Sequence, residues 1–90
     1  MSYRIEWLRS AVRELSALPG PVAVRIGEAV GRLADEPRPR GCKKLTGHKD
    51  LWRIRIGNYR VIYFIGDAVK RCALRRCRTV RTSIDSGPYP

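Results

Sequence analysis

"LWRIRIGNYRVIYFI", Leu51–Ile65, is the stretch that decides the fold. It reads as two strands around a tight turn, with Gly57-Asn58 as the two-residue loop that such hairpins favour. That loop opposes Ile56 to Tyr59, Arg55 to Arg60, Ile54 to Val61, Arg53 to Ile62 and Trp52 to Tyr63. Opposed residues share a face, so one face carries Trp52, Ile54, Ile56, Tyr59, Val61 and Tyr63. The other carries Leu51, Arg53, Arg55, Arg60, Ile62 and Phe64. A slip of one residue would send arginines into the core, so the apolar pattern fixes the register.

The second face raises a question of charge. Like charges directly opposite in a sheet are destabilising, yet Arg55 faces Arg60 with Arg53 beside them. An anion between the guanidinium groups relieves the repulsion, and a phosphate held by two or three forks is the natural occupant. Leu51, Ile62 and Phe64 border the patch and could support a stacked base. The plainer alternative is that the arginines only keep an exposed sheet face soluble.

Working outward, Tyr3, Ile5 and Trp7 alternate with Arg4 and Glu6 as in a half-buried strand. From Leu8 the period becomes helical, with Leu8, Ala11, Val12, Leu15 and Leu18 on one face. Pro19-Gly20 stops that helix, and Pro21 suits the first position of a second, whose stripe is Val22, Ile26, Ala29, Val30 and Leu33. So short a link predicts an antiparallel helix pair. "PRPRGCKKLTGHKD" is then a basic connector, too polar for the core and expected to be exposed. After the hairpin, Gly66-Asp67 reads as a turn and Ala68–Leu74 as a third strand. The order is β-α-α-β-β-β: an α+β domain whose small, antiparallel-rich sheet carries the helix pair on one face. Residues 1–90 make a single domain, with 75–90 an atypical tail that need not be ordered.

Charge is distributed unevenly. Residues 1–36 hold five arginines and five acids, so the whole net charge of +11 lies in residues 37–90. A neutral half followed by a strongly basic one suggests a scaffold bearing a polyanion-binding surface. The start, "MSYRIEWLRS", is too charged for a secretory signal, and the longest apolar run, Val61–Ile65, is too short to span a bilayer. A cytoplasmic protein with no membrane partner is expected. Cys42, Cys72 and Cys77 are odd in number and contain no CxxC, so a disulfide framework is not expected. Their spacing, with His48, is not that of compact zinc modules, and neither a metal nor another cofactor is expected.

"KKLTGHKDLWRIRIGNYRVIYFI", Lys43–Ile65, resembles the signature of the RelE/ParE superfamily of toxins from type II toxin-antitoxin systems. There a Lys-x-Leu-x-Gly precedes a Leu-Trp-Arg-Ile-Arg-x-Gly-x-Tyr-Arg-x-x-Tyr hairpin. The preceding strand and helix pair agree in order and length, so the resemblance covers roughly residues 2–70. It implies the same small fold, and for RelE-like members a ribosome-dependent endoribonuclease that cuts translated mRNA by attack of the RNA's own 2'-hydroxyl, without metal. Basic residues at alternate positions of the first hairpin strand, an arginine on the second, and a basic residue and a tyrosine near the C-terminus surround the scissile phosphate there; the first three positions match Arg53, Arg55 and Arg60, the implied catalytic set. Lys43, Lys44, His48 and Lys49 are the candidate RNA-binding residues. Arginine stays protonated, so these side chains suit holding phosphate rather than accepting a proton. Histidine as a type suits that second task. His48, however, lies in the connector, where a solvated loop histidine is the simpler reading.

The resemblance also implies partners: an acidic antitoxin from the same operon, the ribosome and mRNA, and operator DNA only through the antitoxin complex. The chain departs from the family after Asp67, where "VKRCALRRCRTVRTSIDSGPYP" replaces an apolar strand and a Gly-His-Arg-x-Asp-Ile-Tyr type of ending. A frameshift accounts for this if an adjacent frame of the gene encodes such an ending; Tyr89 is the candidate substitute for the missing tyrosine, although its setting, "SGPYP", does not resemble the family motif. The departure keeps two alternatives open, a ParE-like inhibitor of DNA gyrase and a catalytically degenerate homologue that only binds its antitoxin.

Overall fold

Two antiparallel strands, β3 (Leu51–Ile56) and β4 (Tyr59–Gly66), form the centre of the computed structural model, which describes residues 2–79. They pair in the register the alternation demands: Trp52 with Tyr63, Arg53 with Ile62, Ile54 with Val61, Arg55 with Arg60 and Ile56 with Tyr59. Gly57 turns the corner at φ 60°, a left-handed conformation that glycine adopts at no steric cost. Only the first turn residue has positive φ, the pattern of a II′ hairpin.

The other elements are β1 (Arg4–Trp7), α1 (Arg9–Ser16), α2 (Gly20–Arg32), β2 (Lys43–Lys44) and β5 (Arg71–Thr79). The strand order is β1-β5-β4-β3-β2, antiparallel throughout except for β1 beside β5. The main core joins Ala11 of α1 and Ile26 and Val30 of α2 to Ile54, Val61, Tyr63, Cys72, Leu74 and Cys77 of the sheet. Both helices therefore cover the face predicted for them. Tyr63 is fully buried, and its hydroxyl donates to the Pro37 carbonyl at 2.6 Å, which satisfies the one polar atom it brings into the core.

Four sequence expectations are corrected. The connector is not wholly exposed: it contributes β2, and Leu45, at 1% exposure, packs with Leu51, Ile62 and Phe64 into a second small core on the helix-free side. Leu51 and Ile62 are buried by that packing and are unavailable as a platform for a stacked base. Val12 lies on the exposed side of α1, because the short helix buries only Ala11 fully and keeps Leu15 at the core margin.

The last strand is the fourth correction. It begins at Arg71 rather than Ala68 and runs to Thr79 rather than Leu74. A turn over Asp67–Lys70 delays its start, closed by the Lys70 N–H donating to the Asp67 carbonyl at 3.3 Å. Its second half is held by α1, which takes over the strand edge where β1 ends. The Ser10 hydroxyl donates to the Arg75 carbonyl at 2.7 Å, and the Cys77 N–H donates to the Glu14 carboxylate at 2.8 Å. Residues 75–79 of the segment expected to be an atypical tail thus complete the sheet. Residues 80–90, which hold the rest of the expected tail and Tyr89, lie outside the described residues.

Candidate functional site

The helix-free face gathers its arginines because of pleat and pairing. Arg53 and Arg55 alternate with the core residues Trp52, Ile54 and Ile56 on β3, and Arg60 stands directly across from Arg55 on β4. Exposure separates the three. Arg55 is exposed, Arg53 is half-buried, and Arg60 is only 9% exposed. The Arg55 Nε donates to the Gly57 carbonyl at 3.4 Å, which ties its stem to the turn. A guanidinium on this rigid hairpin presents paired N–H donors to an oxyanion, and its positive charge persists at any physiological pH.

The candidate RNA-binding residues divide. Lys43 pairs with Arg53 and shares the arginine face, whereas Lys44 pairs with Trp52 and lies on the opposite side. His48 and Lys49 sit in the turn that leads into β3 at Leu51. About 13 Å of strand separates Leu51 from Arg55 at the usual rise, so the fold does not bring this turn to the Arg55–Arg60 pair.

Two arginines missed in the sequence join the face. Arg78 pairs with Arg60 and Arg76 with Ile62, while Leu74 pairs with Tyr63, so Arg75 is the extra residue of a bulge. Ahead of the bulge the core-facing residues are even-numbered, Cys72 and Leu74; behind it Cys77 faces the core. The phase shift turns Arg76 and Arg78 away from the core. Both approach the Glu14 carboxylate through Nε, at 3.7 and 3.5 Å. The spacing Cys72, Leu74, Cys77 was the available signal, since three apolar residues share a face only if one residue is skipped between the last two.

At the far end of the sheet the connector is clamped. Arg38 stacks over the Trp52 ring, 4.8 Å from its centroid, and forms a two-pronged pair with Asp67. The Tyr3 hydroxyl donates to the same carboxylate at 2.6 Å. Arg38 first, and Tyr3 second, hold the Asp67 carboxyl down at about 2. Burial pushes the Cys72 and Cys77 thiols up to about 11, which makes them unreactive at neutral pH. Among the described residues no three His, Cys, Asp or Glu side chains gather to hold a metal ion. No helix there is long and apolar enough to cross a membrane.

A groove of about 520 Å³ lies between α2, β3 and the connector. Ala29, Ile54 and Ile56 line it with apolar surface, and Arg25, Arg32, Arg40 and Arg55 line it with charge, Glu28 and Glu36 among them.

Comparison with known proteins agrees with this architecture. Residues 5–79 match the profile of the ParE toxin of type II toxin-antitoxin system, parDE. The RelE–RelB complex of Pyrococcus horikoshii OT3 contains a chain 32% identical, with a TM-score of 0.81 over 92% of this chain and 100% of that one. The toxin-antitoxin complex RelBE2 of Mycobacterium tuberculosis contains one 28% identical, with a TM-score of 0.76 over 88% and 99%. The isolated E. coli RelE toxin, 20% identical with a TM-score of 0.79 over 92% and 89%, shares the fold. No curated protein sequence matches significantly.

Proposed function

Because the chain belongs to the ParE toxin family of type II toxin-antitoxin systems, we propose that it acts as a ribosome-dependent endoribonuclease on translated mRNA. The observation that carries this reading is Arg55 opposite Arg60 on the helix-free face, with Arg53 two residues along the same strand. The similarity to the RelE chains from Pyrococcus and Mycobacterium supports it. In the reaction the 2'-hydroxyl oxygen attacks the adjacent phosphorus, and the bond from phosphorus to the 5'-oxygen breaks. The products are a 2',3'-cyclic phosphate and a free 5'-hydroxyl. Arg53, Arg55 and Arg60 hold the phosphate and offset the charge that accumulates on its oxygens, the largest contribution a fixed donor set makes. Lys43, beside Arg53, extends the binding surface.

An acidic antitoxin is the regulatory partner on this reading. The two complexes above each pair such a toxin with its antitoxin. The groove beside α2, apolar with four arginines among its lining, suits an amphipathic helix with acidic flanks.

A second reading, inhibition of DNA gyrase, is favoured by the ParE description of the matching family and by the altered segment after Asp67. Primer extension on mRNA from expressing cells separates the two. Cleavage within translated codons supports the ribonuclease; gyrase–DNA breaks with intact mRNA support the inhibitor. Growth arrest that persists undiminished in Arg55→Ala and Arg60→Ala variants would remove the basis for the first.

A further inference from the structure

β3 has an open edge beside the groove. The Leu45 N–H donates to the Leu51 carbonyl at 2.9 Å, so the backbone groups of Leu51 point to the connector side. By the period of two, those of Arg53 and Arg55 point the same way. β2 covers that edge at Trp52 and Arg53, through Lys44 and Lys43, and stops there. Among the described residues the Arg55 N–H and C=O have no backbone partner on that side, and they face the groove, whose floor is Ala29, Leu33, Ile54 and Ile56. Gly57 joins the groove to the arginine face. The Arg55 Nε donates to the Gly57 carbonyl at 3.4 Å, and the Arg25 guanidinium of α2 lies 3.6 Å from the point a Cβ would occupy at Gly57. One arginine from the helix side and one from the helix-free side thus meet at the turn.

We infer that the groove is a base-binding pocket, which seats one base of a single-stranded RNA next to the phosphate held at Arg55 and favours a base with an exocyclic amino group. The inference rests on the ribonuclease reading and adds which bases the site admits. At about 520 Å³ the groove has the size of a small-molecule site. Its apolar floor suits the flat face of a base, and an unstacked base is read through the donors and acceptors on its edge. The Arg55 N–H and C=O, side by side on an open strand edge, offer the matching acceptor and donor. Four arginines against two glutamates leave the lining positive for the sugar-phosphate backbone. Glu28 and Glu36 accept hydrogen bonds and donate none. Adenine offers them an amino group, whereas uracil offers only a ring N–H. An antitoxin helix laid in the same groove would exclude the base, so the two occupants compete.

The test is fluorescence anisotropy with labelled 2'-O-methyl RNA hexamers, one all adenine and one all uracil, which cannot undergo 2'-hydroxyl attack. The protein is expected to bind the adenine hexamer about tenfold more tightly. Ala29→Leu, which fills the floor, should bring the adenine hexamer down to the uracil level and leave the uracil hexamer unchanged. Arg55→Gln keeps the backbone groups, so it should weaken both hexamers and preserve the preference. Should Ala29→Leu fail to fold, Glu28→Ala with Glu36→Ala, both exposed, carries the test and should shrink the preference. If the two hexamers bind alike while Arg55→Gln weakens both, the pocket is wrong and the ribonuclease reading stands. A preference that survives Ala29→Leu is read elsewhere and also overturns the pocket. If neither hexamer binds, or if Arg55→Gln changes nothing, the arginine face does not hold RNA and both readings fall.

Discussion

Arg38 grips Asp67 with both ends of its guanidinium, Nη1 to Oδ1 at 3.2 Å and Nη2 to Oδ2 at 2.8 Å. The pair joins the connector to the β4–β5 turn, while the same guanidinium covers Trp52 of β3. With Asp67 held at about 2, the folded state favours the ionised carboxylate. The stability this supplies is fully present above the ordinary carboxylate range, about pH 4, and is lost as pH falls through about 2. Asp67→Asn should therefore flatten the acid limb of the stability profile between those values. Denaturant midpoints taken across pH 2–6 for both proteins check this.

Glu14→Ala should cost about 1–3 kcal/mol, because it strips a charged acceptor from the Cys77 N–H at a strand edge. Glu14→Gln keeps an acceptor and should cost less. Faster amide exchange confined to Arg76–Thr79 in the alanine variant would show that α1 holds the end of β5.

Leu45→Ala should destabilise by about 2–4 kcal/mol, the usual cost of hollowing a buried leucine site. Chemical denaturation measures it. A connector that was merely solvated would tolerate the change within about 0.5 kcal/mol.

Arg55 and Arg60 should respond differently to alanine. Arg55 is exposed, so its loss should leave stability within about 0.5 kcal/mol. On the ribonuclease reading it should lower cleavage by about 10²–10³-fold. Arg60 is 9% exposed and packs its stem into the sheet, so its loss should reduce stability and activity together. Cleavage assays paired with thermal unfolding separate the two effects.

Lys70 occupies a left-handed conformation at φ 54°. Lys70→Gly removes that strain and should stabilise by up to about 1 kcal/mol. Loss of the lysine's contact with the Tyr3 ring, 5.3 Å away, offsets part of the gain. Thermal unfolding gives the sign.

The hairpin was legible in the sequence because strict alternation and a Gly-Asn loop leave one register that keeps arginine out of the core. The stripe of Ile26, Val30 and Leu33 was legible for the same reason, with a period of 3.6. Leu45 was not, because one apolar residue among lysines and glycines has no period, and only a fold-back over Ile62 gives it a partner. Arg76 and Arg78 were hidden by the bulge, since a period-2 reading from Cys72 and Leu74 assigns them to the wrong face. Long-range geometry settles such a phase change: Glu14, 63 residues away in the chain, takes the Cys77 N–H.

The parallel pairing of β1 with β5 sets Arg4 beside Arg71 and Trp7 beside Leu74, the first strand of the described residues against the last. During synthesis at about 5–20 residues per second, β1 waits about 3–13 s for its neighbour to be made. The sheet cannot close before Arg71–Leu74 have left the ribosome, and the arginine rows that span β3, β4 and β5 are incomplete until then. The arginine face is thus a late product of synthesis, assembled only once the last described strand has been made.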